Sequence, residues 1–135
     1  MPGLLVNIDV SDIAAGERFY CDALDLKVGR RLDAGFVELL GADAPIYLLQ
    51  AGAGTPIGPA GGGERRYDRH WTPVHPDFIV DDLDAAVQRA VAAGAVVERP
   101  ARDVPYGRIA TLADPFGHGF CLIQFNAEGY DAYVA

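Results

Sequence analysis

The chain of 135 residues carries one residue pattern twice, and this duplication limits what it can fold into. In each half an alternating strand runs into a helical segment, so that Val10 and Asp12 correspond to Val80 and Asp82, 70 positions later. Each Asp occupies a position typical of a helix N-cap, where a carboxylate accepts a hydrogen bond from a free N–H group of the first turn. Both halves are therefore predicted to fold into the same unit.

The correspondence continues through the later strands of each half. Residues 35–40 (GFVELL) match 107–112 (GRIATL) at an offset of 72, and 46–50 (IYLLQ) match 120–124 (FCLIQ) at an offset of 74. These apolar segments are bounded by turn residues, as strands are. The strand after each helix is assigned by its position, and the two segments are 27–31 and 95–99. Each half is thus predicted to contain a strand, a helix and three more strands.

The pattern divides the chain into two modules within one predicted domain, 1–135. Module one covers about 1–50 and module two about 73–127. Between them, 51–72 begins with a stretch rich in glycine and proline, which excludes a regular element there. This segment is interpreted as a linker or a mobile flap.

A doubled βαβββ module resembles the vicinal oxygen chelate superfamily, the group of glyoxalase I, bleomycin-resistance proteins and extradiol dioxygenases. The most specific segments are 78–86 (FIVDDLDAA) and 114–118 (DPFGH). The resemblance implies an α+β fold in which two βαβββ modules form a curved mixed sheet cup with the helices outside. It also implies a ligand or metal in the cup and a homodimer.

Composition excludes several classes of partner. The chain has 19 acidic against 11 basic residues and a net charge of -8, so no basic stripe is available for nucleic acid or an anionic membrane. Its N-terminus lacks the basic and apolar regions of a signal peptide. Its two cysteines, Cys21 and Cys121, do not form a disulfide framework. We therefore expect a cytoplasmic protein.

The resemblance places metal ligands at the head of each module's first strand and in each last strand, which are the positions Leu5, His75, Tyr47 and Cys121. Only His75 keeps its identity, and Leu5 has no donor atom. A bound divalent ion needs several converging ligands, so the prediction is no metal and no cofactor. Two substituted sets remain open: His75 with Cys121 and Tyr47, and His75 with the polar residues Asp77, Asp9 and Asn7.

Strand alternation selects the residues predicted to bind a ligand. Val6, Ile8 and Val10 share the face toward the helix, so the residues between them face the cup, as do their counterparts in module two. The resemblance adds two positions from the last strands. The predicted ligand-binding residues are Asn7, Asp9, Tyr47, His75, Asp77 and Cys121. The aspartates favour a cationic or hydrogen-bond-donating ligand, on which Tyr47, Trp71 or Tyr106 could stack.

Each candidate also has a structural interpretation. His75 is the best catalytic candidate, as a general base, or else a partly buried imidazole satisfied by a neighbour such as Asp77. Asp77 could instead pair with Arg108 or face water. Cys121 as a nucleophile needs a lowered pKa; otherwise it is a small buried thiol.

The predicted function is a glyoxalase- or bleomycin-resistance-like protein that binds a small organic ligand and has a degenerate metal site. The alternative is a metal-dependent or His-dependent lyase, isomerase or dioxygenase, so enzymatic activity stays open. A third possibility is a ligand-responsive protein that contacts another chain through 65–71.

Overall fold

Each half of the chain folds into the same series of elements in the computed structural model, which describes residues 1–134. The first unit, Met1–Asp68, contains β1 (Val6–Val10), α1 (Ile13–Leu24), β2 (Lys27–Asp33), β3 (Phe36–Leu40) and β4 (Ile46–Gln50). The second unit, which begins at Arg69, contains β5 (Asp77–Ile79), α2 (Leu83–Ala93), β6 (Val96–Val104), β7 (Gly107–Ala113), β8 (Gly119–Phe125) and a 3-10 helix (Gly129–Tyr133). The α+β prediction of two βαβββ modules is confirmed. The duplicated sequence pattern does not predict the 3-10 helix.

Each unit forms a four-stranded mixed sheet. The strand orders are β1-β4-β3-β2 and β5-β8-β7-β6. In both sheets the first and last strands pair in parallel, and the other neighbours are antiparallel. Parallel pairing requires a crossover connection, which the helix and the two intervening strands supply.

The strand register corrects the offset between β3 and β7. Tyr47 and Cys121 are equivalent at an offset of 74, and they pair with Glu38 and Thr111 respectively. Glu38 and Thr111 are therefore equivalent at an offset of 73, so the value of 72 from letter matching is wrong by one residue. A slip of one residue moves a side chain to the other face of a sheet. Glu38 consequently lies beside Tyr47.

An aspartate caps the start of both helices, as the sequence predicts. The Asp12 carboxylate accepts a hydrogen bond from the Ala15 N–H at 2.9 Å, and Asp82 accepts one from the Ala85 N–H at 3.1 Å. Both caps have extended backbone angles. The V-x-D pattern thus marks a real helix start in each unit.

A glutamine from the last strand also holds each helix start. The Gln50 Oε1 atom accepts a hydrogen bond from the Ile13 N–H at 2.8 Å, and Gln124 Oε1 accepts one from the Leu83 N–H at 2.8 Å. Helix N-termini have free N–H groups that need acceptors. The repeated glutamine therefore ties each helix to its own sheet.

The helix-facing side of each sheet is the apolar core. In the first unit Gly16 of α1 lies so close to the sheet that an added Cβ would be 3.1 Å from Val10 and 3.2 Å from Leu48. In the second unit Leu83 of α2, Leu112 and Leu122 are fully buried. Among residues 1–134 the structure contains no helix of the length and apolarity needed to span a membrane.

Candidate functional site

Asp9 on β1 is paired with an arginine from the segment that follows the first sheet. Arg65 Nε donates to Asp9 Oδ2 at 2.7 Å, and its Nη1 donates to the Pro56 carbonyl at 2.6 Å. The Tyr67 hydroxyl donates to the Ala51 carbonyl at 2.5 Å. The Arg65–Asp9 contact attaches residues 51–67 to β1, and the other two contacts lie within this segment. The Asp9 charge is compensated within the first unit, which weakens the expectation of a cationic ligand at Asp9.

Tyr47 takes part in a polar cluster in which Tyr47 and Glu38 are buried and Arg30 is exposed. The Tyr47 hydroxyl donates to Glu38 Oε2 at 2.7 Å, and Arg30 Nη2 donates to the same oxygen at 2.8 Å. Hydrogen bonds from Arg30 and Tyr47 lower the pKa of Glu38 to about 2. The Tyr47 hydroxyl is thus hydrogen-bonded to residues of its own sheet. The register partner of Tyr47 on β1 is Asn7, which is exposed.

Sequence reasoning missed Glu38 and Arg30. The offset of 72 aligns Glu38 with Ala110, one residue out of register. A signal was available, because a glutamate within the apolar strand GFVELL needs a polar partner if it is buried.

His75, Asp77 and Cys121 come together in the second unit. The His75 Nε2 atom lies 3.3 Å from Asp77 Oδ1, and Asp77 is the register partner of Cys121. One donor atom from each residue lies within 4.8 Å of the others. The contact of His75 with Asp77 matches the interpretation of a partly buried imidazole satisfied by its neighbour.

Cys121 is a buried thiol that packs in the sheet. Burial raises its pKa, and the Asp77 carboxylate raises it further, while the Thr111 hydroxyl 3.6 Å from its sulfur opposes that rise. A raised pKa keeps the group as a thiol at neutral pH, so the lowered pKa that a nucleophile needs is not provided. Arg108 pairs with Asp84 at 3.2 Å, and the suggested pair with Asp77 is wrong because Arg108 faces α2.

Trp71 lies beside His75 at the edge of the second sheet. The ring centroids of Trp71 and His75 are 4.7 Å apart, and the Arg69 guanidinium lies 5.1 Å from the Trp71 ring centroid. Arg69 is itself held by Glu98 at 2.5 Å. A Cβ at Gly119 would be 2.1 Å from the Trp71 ring, so a residue without a side chain is needed beneath it. Trp71 is thus half exposed but held in place.

An apolar patch continues from Cys121 along the same face. Ile109, Cys121 and Ile123 are buried together, with Tyr106 and Phe125 packed against them. The 3-10 helix adds Tyr130 and Tyr133, whose rings lie 4.9 Å and 5.7 Å from that of Tyr106. We call Tyr106, Phe125, Tyr130 and Tyr133 the aromatic cluster.

The residues at the four metal positions of the resemblance do not fit that metal. Leu5 has no donor atom and is half exposed. The Tyr47 hydroxyl is hydrogen-bonded to Glu38 and Arg30. The two remaining positions, His75 and Cys121, meet Asp77 instead.

The family assignment follows from a comparison with protein-family models. The model of the glyoxalase-like domain family matches residues 5–123. The chain belongs to this family. The match covers both modules, so the resemblance to the glyoxalase, bleomycin-resistance and dioxygenase superfamily is confirmed.

Three proteins illustrate the likeness. The anthracycline biosynthesis protein DnrV of Streptomyces peucetius is 46% identical over 63 residues, which are 47% of this chain and 22% of DnrV. This chain therefore spans about a fifth of that relative's length. A glyoxalase/bleomycin resistance protein/dioxygenase family enzyme from Burkholderia phytofirmans PsJN has a TM-score of 0.71 at 24% identity, with 90% of this chain and 97% of that chain covered. The antibiotic binding protein TnmS3 from Streptomyces sp. CB03234 has a TM-score of 0.66 at 21% identity, over 93% and 97% of the two chains. At these identities the two solved structures support the fold alone.

Proposed function

We propose that the chain binds a small organic molecule on the helix-free faces of its sheets and does so without the superfamily metal. The main support for this proposal is that the metal-binding residues of the superfamily are replaced in this chain although the fold is retained. At the four metal positions there stand a leucine, a hydrogen-bonded tyrosine, a histidine and a buried cysteine. This fold hosts both enzymes and binding proteins, so the function has to be argued from the residues of the site.

The second unit offers what an organic ligand needs. Its face combines an apolar floor, exposed aromatic rings and a few polar groups at the edge. Ligand sites are usually of this composition. We propose that the ligand contacts the six residues predicted from the sequence: Asn7, Asp9, Tyr47, His75, Asp77 and Cys121. TnmS3 binds an antibiotic and DnrV takes part in anthracycline biosynthesis, which supports an aromatic natural product as the ligand class.

The test is a thermal-shift screen of aromatic natural products against the untagged protein, followed by calorimetry on each compound that raises the melting temperature. The proposal predicts at least one ligand whose binding is unchanged by a chelator. The matched variants are Tyr130→Ala, in the aromatic cluster, and Val134→Ala, an exposed apolar residue that follows the 3-10 helix. Loss of binding in both variants alike, or a strict requirement for added metal, contradicts the proposal.

A second candidate function rests on the convergence of His75, Asp77 and Cys121. Three N, O and S donors within 4.8 Å can hold an ion such as Zn²⁺ and leave a position open, and His75 beside a carboxylate can act as a base. Elemental analysis of protein purified without chelator distinguishes the two functions. About one metal ion per chain that is lost in His75→Ala favours a lyase, isomerase or dioxygenase. Trace metal that does not depend on His75 favours organic binding.

We further propose a cytoplasmic homodimer. The free thiols Cys21 and Cys121 fit a reducing compartment, and the superfamily resemblance supports the dimer. Light scattering at micromolar concentration should give twice the chain mass of 14.4 kDa. A mass of one chain at all concentrations contradicts the dimer.

A further inference from the structure

Arg102 lies on the helix-free face of the second sheet. In the strand register Arg102 of β6 is opposite Ile109 of β7, which is opposite Ile123 of β8. Register partners point to the same side of a sheet. The neighbouring residue Gln124 points the other way, since it caps α2. Arg102 therefore belongs to the face that carries Cys121 and the aromatic cluster.

One nitrogen of Arg102 is buried without a hydrogen-bond acceptor. Its Nη1 atom is out of contact with solvent and has no partner within residues 1–134. A buried donor without an acceptor is costly, and a charged one more so, which is why native structures rarely contain one. An acceptor supplied by a ligand would remove that cost.

The surroundings of Arg102 suggest the kind of ligand. Arg102 is the register partner of Ile109, and Tyr106 and Phe125 pack against the patch that contains Ile109, so Arg102 shares the face of the aromatic cluster. Burial raises the pKa of Tyr106; the Arg102 cation opposes that rise and the Asp77 carboxylate adds to it. Tyr130 and Tyr133 are 54% and 62% exposed, so their rings are available to a planar molecule. The floor beneath them is the apolar patch of Ile109, Cys121 and Ile123. An aromatic ring would fit this surface.

We propose that Arg102 binds the anionic oxygen of an aromatic acid, donating from Nη1 while the ring of the acid lies against the aromatic cluster. This inference rests on the proposed organic-ligand function and gives it a ligand class. The proposed ligand is an anion, whereas the sequence predicted a cationic or hydrogen-bond-donating ligand. That expectation counted Asp9 and Asp77; the Asp9 charge is compensated by Arg65, whereas His75, 3.3 Å from Asp77, offsets the Asp77 charge only when it is protonated.

The test uses three probes with the same ring and different charge: 2-naphthoate, 2-naphthylmethanol and 2-naphthylmethylammonium. Calorimetry at pH 7 should show that the wild-type protein binds naphthoate about tenfold or more tightly than the alcohol, as expected for a charge-assisted hydrogen bond. Arg102→Met should lose this preference. The control Arg89→Met, which removes an exposed arginine of α2, should keep it.

Two further measurements separate binding from a structural role. Arg102→Met should not lower the melting temperature relative to Arg89→Met, because it removes an unsatisfied buried donor. Arg102→Lys should recover part of the preference for naphthoate, since the charge is kept but the geometry is not. A lower melting temperature with unchanged preference identifies Arg102 as structural and overturns the proposal.

The remaining outcomes distinguish this inference from the proposed function. Equal binding of all three probes, or a preference for the ammonium probe, overturns the role of Arg102 but leaves organic binding in place. No binding of any probe, together with a negative natural-product screen, contradicts both. A positive screen without naphthoate binding contradicts only the aromatic acid.

Discussion

Replacing Asp82 by alanine should destabilise the protein by about 1 kcal/mol, the typical cost of losing a helix N-cap. The structure shows what is lost: the carboxylate accepts a hydrogen bond from the Ala85 N–H at 3.1 Å, and alanine cannot. In Asp82→Ala the helix start keeps a second hydrogen bond, because Gln124 Oε1 still accepts from the Leu83 N–H at 2.8 Å. The cost therefore stays near that of a single cap and does not unfold α2.

Urea unfolding followed by circular dichroism measures this loss. With a slope of about 2 kcal/mol per molar urea, a loss of about 1 kcal/mol lowers the midpoint by about 0.5 M. The matched control is Asp81→Ala, which removes the same charge one residue earlier from an exposed side chain that is not the N-cap. Since both substitutions change the interaction with the helix dipole to a similar extent, the difference between them isolates the hydrogen bond.

Two results would refute this reasoning. An equal fall of the midpoint in Asp81→Ala and Asp82→Ala would show that charge, and not the cap, stabilises α2. No change in Asp82→Ala would show that Gln124 alone holds the helix start. Asp12→Ala in α1 repeats the experiment in the first unit, where Ala15 is the donor.

Three other substitutions probe the site. The pKa of Glu38 is lowered from 4.5 to about 2, so its contribution to the free energy of unfolding is complete above about pH 4.5 and is lost as the pH falls through about 2. Glu38→Gln should therefore make the free energy of unfolding less dependent on pH on the acid side. Urea unfolding from pH 2 to 6 measures this dependence. Gly119→Ala should displace Trp71, whose ring lies 2.1 Å from the new Cβ, and shift the emission of this single tryptophan. Arg65→Met should release residues 51–63 and speed their cleavage in limited proteolysis, because Arg65 holds the Pro56 carbonyl.

Matched controls accompany these variants. Gly3→Ala adds a Cβ with nothing within 4 Å and should leave the tryptophan emission unchanged. Arg66→Met removes a neighbouring arginine whose side chain is 60% exposed, and it should not speed proteolysis. An acid profile for Glu38→Gln that parallels the wild type would show that another carboxylate controls acid unfolding.

The local patterns of the sequence are sufficient for the fold. Helix starts are read from Asp12 and Asp82 because a cap depends on atoms only three residues away. The order of elements along each module follows from the repeated pattern, because both copies place a helix and strands at equivalent positions.

The polar contacts of the site depend on the register between neighbouring strands. The sequence specifies this register less clearly than it specifies the helix starts. Matching letters aligns Glu38 with Ala110, whereas its structural equivalent is Thr111, and the contact of Glu38 with Tyr47 is not predicted. Both alignments keep apolar residues in the strand; the need of a buried Glu38 for a polar partner is the one local signal, and it does not identify the partner. The tertiary structure decides between them through the pairing of β3 with β4.

The sequence by itself thus determined the duplicated βαβββ pattern and the helix caps, because each depends on residues that are close in the chain. The replacement of the metal donors follows from the resemblance to the superfamily. Tertiary structure alone decided that Asp9 is neutralised by Arg65, 56 residues away, and that Arg102 presents a buried donor beside the aromatic cluster. Charge balance and hydrogen-bond satisfaction depend on which distant side chains meet. The anionic ligand that we propose therefore rests on the tertiary contacts of Arg102, which the sequence does not reveal.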